Sequence, residues 1–106
     1  MATSFSTLGV IAPLEMALTT LKITAPTDIQ QKAIPELLTS KKDVVALAKT
    51  GSGKTVAFGV PLLQLIDRTN PTIQAVILVP TRELGQQIHA NITDFAAEMP
   101  EVTAAV

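Results

Sequence analysis

No cysteine occurs in the 106 residues, so neither a disulfide framework nor a thiolate metal site can be built. His89 is the lone histidine, which removes a histidine-based metal centre as well. No apolar run approaches the ~20 residues that cross a bilayer. The first residues, Met1 to Leu8, lack the positive stretch followed by an apolar one that marks a signal peptide. These absences set a cytoplasmic, soluble protein with no membrane partner as the expectation. Charge of one sign is also missing. With 8 basic and 9 acidic residues the net charge is -1, so the overall field does not draw the chain to nucleic acid. Any contact with RNA or DNA must come from local groups. Internal repeats and low-complexity segments are absent.

Hydrophobic residues make up 47% of the chain, which excludes disorder and supplies a packed core in one small domain. A short helix is predicted from Pro13 to about Leu21, with Leu14, Ala17, Leu18 and Leu21 on one face. Thr27 followed three residues later by Gln30 fits a capping box at the start of a second helix. Pro35 is expected to interrupt that helix, with a further turn from Glu36 to about Thr39. The apolar run 43–48 reads as a strand buried on both faces, and 74–79 reads as another. Between them a helix runs from Lys54 to about Asp67, with a kink expected at Pro61, and then a loop over 69–72. An amphipathic helix follows from Arg82 to about Glu98, its core face carrying Leu84, Ile88, Phe95 and Met99. Residues 102–106 read as the start of a third strand. Strand, helix, strand, helix is the rhythm of an α/β fold with a parallel sheet.

The chemistry lies at the first strand-to-helix junction. Ala48, Lys49, Thr50, Gly51, Ser52, Gly53, Lys54 and Thr55 form a phosphate-binding loop in the right context. Gly51 and Gly53 let the backbone turn its N–H groups inward on phosphates. Lys54 brings positive charge to the β/γ-phosphates, and the Thr55 hydroxyl is a ligand for Mg²⁺. The start of the helix adds its positive dipole end. The bland reading is a glycine-rich turn with an incidental Lys-Thr after it. Ala48 departs from the strict pattern, which asks for glycine there.

Three segments in register resemble the DEAD-box RNA helicases. The first is Phe5 with 23–30 (ITAPTDIQ), similar to the family's Q motif and its upstream aromatic. The second is 48–55 (AKTGSGKT), the family's own spelling of the loop, which accounts for Ala48. The third is 80–86 (PTRELGQ), similar to motif Ia. The resemblance implies a partial RecA-like P-loop domain, truncated after the second strand-helix unit, with ATP and Mg²⁺ as cofactors. It divides the chain into a Q-motif region, 1–40, and a βαβα segment carrying the phosphate loop and motif Ia, 43–106.

By that resemblance Gln30 reads the adenine edge, which an amide suits because it offers a donor and an acceptor. The capping box is the other reading of the same side chain, and both can hold. Phe5 packs near the Q motif, with Ile23 and Thr27 beside the nucleotide. Ile23 stands where the family usually has an aromatic, and the lost stacking is worth about 1 kcal/mol. Pro80, Thr81 and Arg82 are implied to touch the RNA sugar-phosphate backbone, at a helix start that favours a phosphate. The alternative for Arg82 and Glu83 is a solvated first turn. Gly85 replaces the family's usual alanine in a helix interior, at a cost of up to about 1 kcal/mol.

Phosphoryl transfer needs a second anchor for Mg²⁺ and a group that positions water. In the family these come from an Asp-Glu-Ala-Asp segment, and this sequence contains no Asp-Glu dipeptide. The expectation is therefore a segment that binds ATP without turnover and contacts RNA weakly through backbone groups. Self-association through unpaired sheet edges is expected too. Two other readings remain open: another P-loop NTPase, or a non-catalytic nucleotide- or partner-binding module. Met1 with a very short lead-in is read as a genuine N-terminus.

Overall fold

The computed structural model describes residues 3–40, 43–46 and 53–105. Among them lie a short 3-10 helix, Ser6–Leu8, and four α-helices: α1 (Ala12–Thr20), α2 (Asp28–Thr39), α3 (Lys54–Leu65) and α4 (Arg82–Phe95).

Phe5 anchors the N-terminal segment. Its ring is 1% exposed, and its carbonyl accepts from the N–H groups of Leu8 and Val10 at 3.0 and 3.2 Å. Gly9 closes this turn at φ 99°, and a Cβ there would stand 3.3 Å from Leu38 Cδ1. Helix α1 begins with Pro13 in its first turn, where the missing N–H costs nothing. It buries Leu14, Ala17 and Leu18, while Leu21 lies at the surface. Its end is a Schellman motif built on a lysine. Lys22 takes φ 65°, its N–H reaches Thr19 O at 2.9 Å, and Ile23 N–H reaches Leu18 O at 2.8 Å.

Helix α2 starts with the capping box that Thr27 and Gln30 were expected to make. Pro35 does not interrupt it. The helix continues to Thr39, and only the hydrogen bond that Pro35 cannot donate to the exposed Gln31 is forgone. Helix α3 likewise passes through Pro61 and buries Val56, Val60 and Leu63. Helices α2 and α3 form the most extensive helix pair, and α4 lies across α3 and α1. Where α4 crosses α3, the side chains of Ile92 and Phe95 close over Gly59. A Cβ on Gly59 would stand 2.8 Å from Ile92 Cδ1 and 3.4 Å from Phe95 Cε2. Met99, just beyond α4, closes the core with Phe5, Leu14, Leu18, Ile34 and Leu63.

The α/β expectation with a parallel sheet is overturned, because the described residues contain no strand and no sheet. The described part of the first run, 43–46, and the whole of 74–79 carry no ladder. Residues 102–105 do not begin a third strand. The truncated RecA-like sheet inferred from the resemblance is corrected with them. Strand backbone finds its hydrogen-bond partners only on another strand, and no described segment supplies one. The side chains agree: Val45 is 89% exposed, Val76 75% and Leu78 91%, the opposite of strands buried on both faces. An apolar run states what it would bury but not against what.

Between α3 and the run 74–79, polar side chains organise the loop. Asp67 Oδ1 accepts from the N–H and hydroxyl of Thr69, and Asn70 Oδ1 does the same for Thr72. Gln74 spans the turn, accepting from Asp67 N–H at 2.7 Å and donating to Asp67 O at 2.7 Å. Arg68 pairs with Glu101 across the surface. No helix of the described residues is long and apolar enough to cross a membrane.

Candidate functional site

The first turn of α3 carries Lys54, exposed, and Thr55, half-buried. Gly53 precedes them as N-cap at φ 86°, a left-handed conformation that side chains resist. The first N–H groups of an α-helix have no intrahelical partner and together with the dipole favour an anion. Ala48, Lys49, Thr50, Gly51 and Ser52 lie outside the described residues.

The start of α2 is brought against this turn. Gln30 is 2% exposed and its amide is engaged at both ends. Its Oε1 accepts from Thr27 N–H at 2.9 Å, and its Nε2 donates to Gly53 O at 3.2 Å. The approach is tight: a Cβ on Gly53 would lie 2.3 Å from Gln30 Nε2 and 3.2 Å from Thr27 Oγ1. Glycine at 53 is therefore required twice, by its dihedral and by the side chain seated on it. The sequence placed Gln30 and Gly53 in separate motifs 23 residues apart; the fold joins them with one hydrogen bond.

The remaining residues fall elsewhere. Phe5 is buried in the core. Ile23 is half-buried and packs against the same core, held by the Schellman bond at the end of α1. Pro80, Thr81 and Arg82 are exposed at the start of α4, where Thr81 caps the helix by accepting from Leu84 N–H at 3.1 Å. The Gly85 substitution gains a structural reason, since a Cβ there would stand 3.1 Å from Val79 Cγ2. His89 lies half-buried against the 102–105 segment, its Nε2 2.9 Å from Ala104 O.

No group of three or more His, Cys, Asp or Glu side chains that could hold a metal occurs among the described residues. The first turn of α3 offers one side-chain oxygen, that of the half-buried Thr55. Two cavities of about 390 Å³ lie away from these residues, one along α3 beside Gln74 and Ala75, the other between α1 and the end of α4. The perturbed carboxylates are likewise remote. Hydrogen bonds from Thr69 hold Asp67 below its usual range, and the bond from Arg68 does the same for Glu101.

The family model for DEAD/DEAH box helicases matches residues 27–106, the stretch that holds the capped start of α2, the Gly53 turn and α4. The chain belongs to the DEAD/DEAH box helicase family. Within that family it is 45% identical over 97 residues to the ATP-dependent RNA helicase DeaD of Escherichia coli. It is 51% identical over 102 residues to the ATP-dependent RNA helicase DBP9 of Ajellomyces capsulatus. These matches cover 92% and 91% of this chain but 15% and 16% of the relatives. Among solved structures, Dbp5 of S. cerevisiae bound to RNA and ADP BeF3 matches at a TM-score of 0.88 and 31% identity, over 92% of this chain and 25% of that one. A DEAD box protein from Methanococcus jannaschii matches at 0.82 and 40% identity, over 87% of this chain and 25% of that one. The chain thus spans about a sixth of the curated helicases and a quarter of the solved ones it resembles.

The sequence pattern missed two contacts that shape this DEAD/DEAH box segment. Gln64, a lone amide in the apolar stretch 62–66, bonds the backbone of Gly9 and Ile11. Gly59 permits the α3–α4 crossing. An amide amid apolar residues was the available signal for the first. A glycine inside a helical pattern was the signal for the second.

Proposed function

We propose that this chain is the ATP-binding segment of an ATP-dependent RNA helicase, one that couples ATP hydrolysis to RNA duplex unwinding in the whole protein. The observation that carries the reading is the Gln30 amide joining the start of α2 to the Gly53 turn. A side chain suited to an adenine edge thereby sits at the turn suited to phosphates.

In this reading Lys54 places its charge on the β/γ-phosphates and the first N–H groups of α3 cradle them. Thr55 takes the Mg²⁺ that, when bound with ATP, neutralises phosphate charge. Gln30 retains one amide hydrogen and one lone pair beyond its two internal bonds, the complement an adenine edge takes. Ala48, Lys49, Thr50, Gly51 and Ser52 complete the phosphate loop. Thr81 and Arg82, with Pro80, hold RNA by its sugar-phosphate backbone, so binding is independent of base sequence and weak in this segment. The 106 residues contain no Asp-Glu dipeptide to anchor the metal a second time, so they bind ATP without turning it over. The exposed apolar side chains at Val45, Ile73, Val76 and Leu78 favour self-association.

Titration with a fluorescent ATP analogue tests this, with ATP and then GTP as competitors and circular dichroism on every sample. Binding that Lys54→Ala abolishes and ATP displaces better than GTP is the expected result. A folded chain with no affinity for the analogue would end the proposal, and RNA-stimulated ATPase activity would end the claim of no turnover.

A further inference from the structure

Helix α3 is held at both ends by glutamine amides, and each amide reaches the N-cap of a neighbouring helix. At its start, Gln30 bonds Gly53 O and the N–H of Thr27, the N-cap of α2. At its end, Gln64 Oε1 accepts from the N–H of Ile11, the N-cap of α1, at 3.0 Å, while Gln64 Nε2 donates to Gly9 O at 2.8 Å. The first of these latches belongs to the nucleotide site described above. The second is assigned to nothing.

We infer that Gln64 is a positioning residue, which latches the Gly9–Ile11 backbone to the last turn of α3 and thereby sets where the first turn of that helix stands. Gly9 and Ile11 are exposed, so water could satisfy both groups. What water cannot supply is direction. Two bonds of opposite polarity to fixed backbone groups set both the rotation of α3 about its axis and its position along it. The apolar contacts of Val56, Val60 and Leu63 are non-directional. The Gly9 turn is anchored by its own N–H bond to Ser6 O at 3.1 Å and by the buried residues Phe5 and Val10 on either side. Gln64 and Gly53 are separated by about 16 Å of helix, and α3 runs unbroken between them although Pro61 removes one of its hydrogen bonds. Loss of the far latch therefore displaces Lys54 and Thr55.

The test compares Gln64→Leu, which has neither polar group, with Gln64→Glu, which keeps the acceptor for Ile11 and loses the donor to Gly9. Thr93→Ala is the control, since it removes one exposed bond to His89 O on α4. Backbone amide shifts of the folded 106-residue chain report native positions and are insensitive to a merely lowered stability. Both Gln64 variants should move the amides of Lys54, Thr55 and Val56, the leucine further than the glutamate, while Thr93→Ala leaves them in place. The effect on ligand rests on the ATP-binding reading: affinity for the ATP analogue should fall roughly three- to tenfold in Gln64→Leu. Shifts confined to residues 9–11 and the last turn of α3 would overturn the inference, as would moved amides with unaltered affinity. If the unaltered chain binds no analogue, the functional reading fails and the amide shifts alone decide. Should Gln64→Leu not fold, the shifts and affinity of Gln64→Glu decide in its place.

Discussion

Gly59 should respond to substitution in a way that helix propensity alone would get wrong in sign. Glycine inside a helix costs up to about 1 kcal/mol relative to alanine, so Gly59→Ala would stabilise an isolated α3. In this fold the new Cβ would stand 2.8 Å from Ile92 Cδ1 and 3.4 Å from Phe95 Cε2, with the latter ring itself buried. Carbon atoms prefer 3.5–4.0 Å, so Ile92 must yield by more than half an ångström in a closed core. Overpacking of this kind costs about 1–3 kcal/mol. The net for alanine is a loss of about 1 kcal/mol. For Gly59→Val two further methyls meet the same wall, and the loss is about 3 kcal/mol, or about 15 °C in Tm for a domain this small. The contact atom is known, so the cause can be isolated. Ile92→Val deletes Cδ1 and alone costs about 0.5–1.5 kcal/mol. Combined with Gly59→Ala it should recover about 1 kcal/mol relative to additivity. Urea and thermal unfolding followed by circular dichroism give all four corners of the cycle. A stabilised Gly59→Ala, or strict additivity with Ile92→Val, would refute the crossing as described.

Lys22→Gly should stabilise the chain by about 0.5–1 kcal/mol in the same unfolding assay, because the Schellman position holds lysine at φ 65° where glycine is unstrained. Gln30→Ala removes two internal hydrogen bonds at a buried site and should cost about 2 kcal/mol, or about 10 °C in Tm. Asp67 is held below its ordinary pKa by Thr69, so its contribution is present above the unfolded value near about 3.9 and disappears as pH falls through the lower folded value. Urea midpoints should therefore decline in acid, and less steeply in Asp67→Asn.

The sequence made the helices legible to within a few residues. Pro13 marked the start of α1 and the Thr27–Gln30 spacing marked α2, because helix starts are written in local residue types, and the amphipathic pattern from Arg82 marked α4. Pro35 misled, since a proline removes one bond but does not forbid a helix whose face packs well on α3. The described part of the first run, 43–46, and the run 74–79 misled for a different reason: composition shows that a segment is apolar, while pairing depends on a partner elsewhere. For the site, the glycine-rich loop and Gln30 were each visible as motifs. Their hydrogen bond was not, nor was the latch at Gln64, because contacts between residues more than 20 apart leave no periodicity to read.

The most direct test of the account follows the Gln30 side-chain amide and the Gly53 backbone amide by NMR during titration with ATP and, separately, GTP. The account predicts that ATP with Mg²⁺ shifts both resonances together, that GTP moves Gly53 with a smaller response at Gln30, and that Lys54→Ala silences both. An ATP response confined to residues remote from Gly53, or none at all in a folded chain, would contradict it.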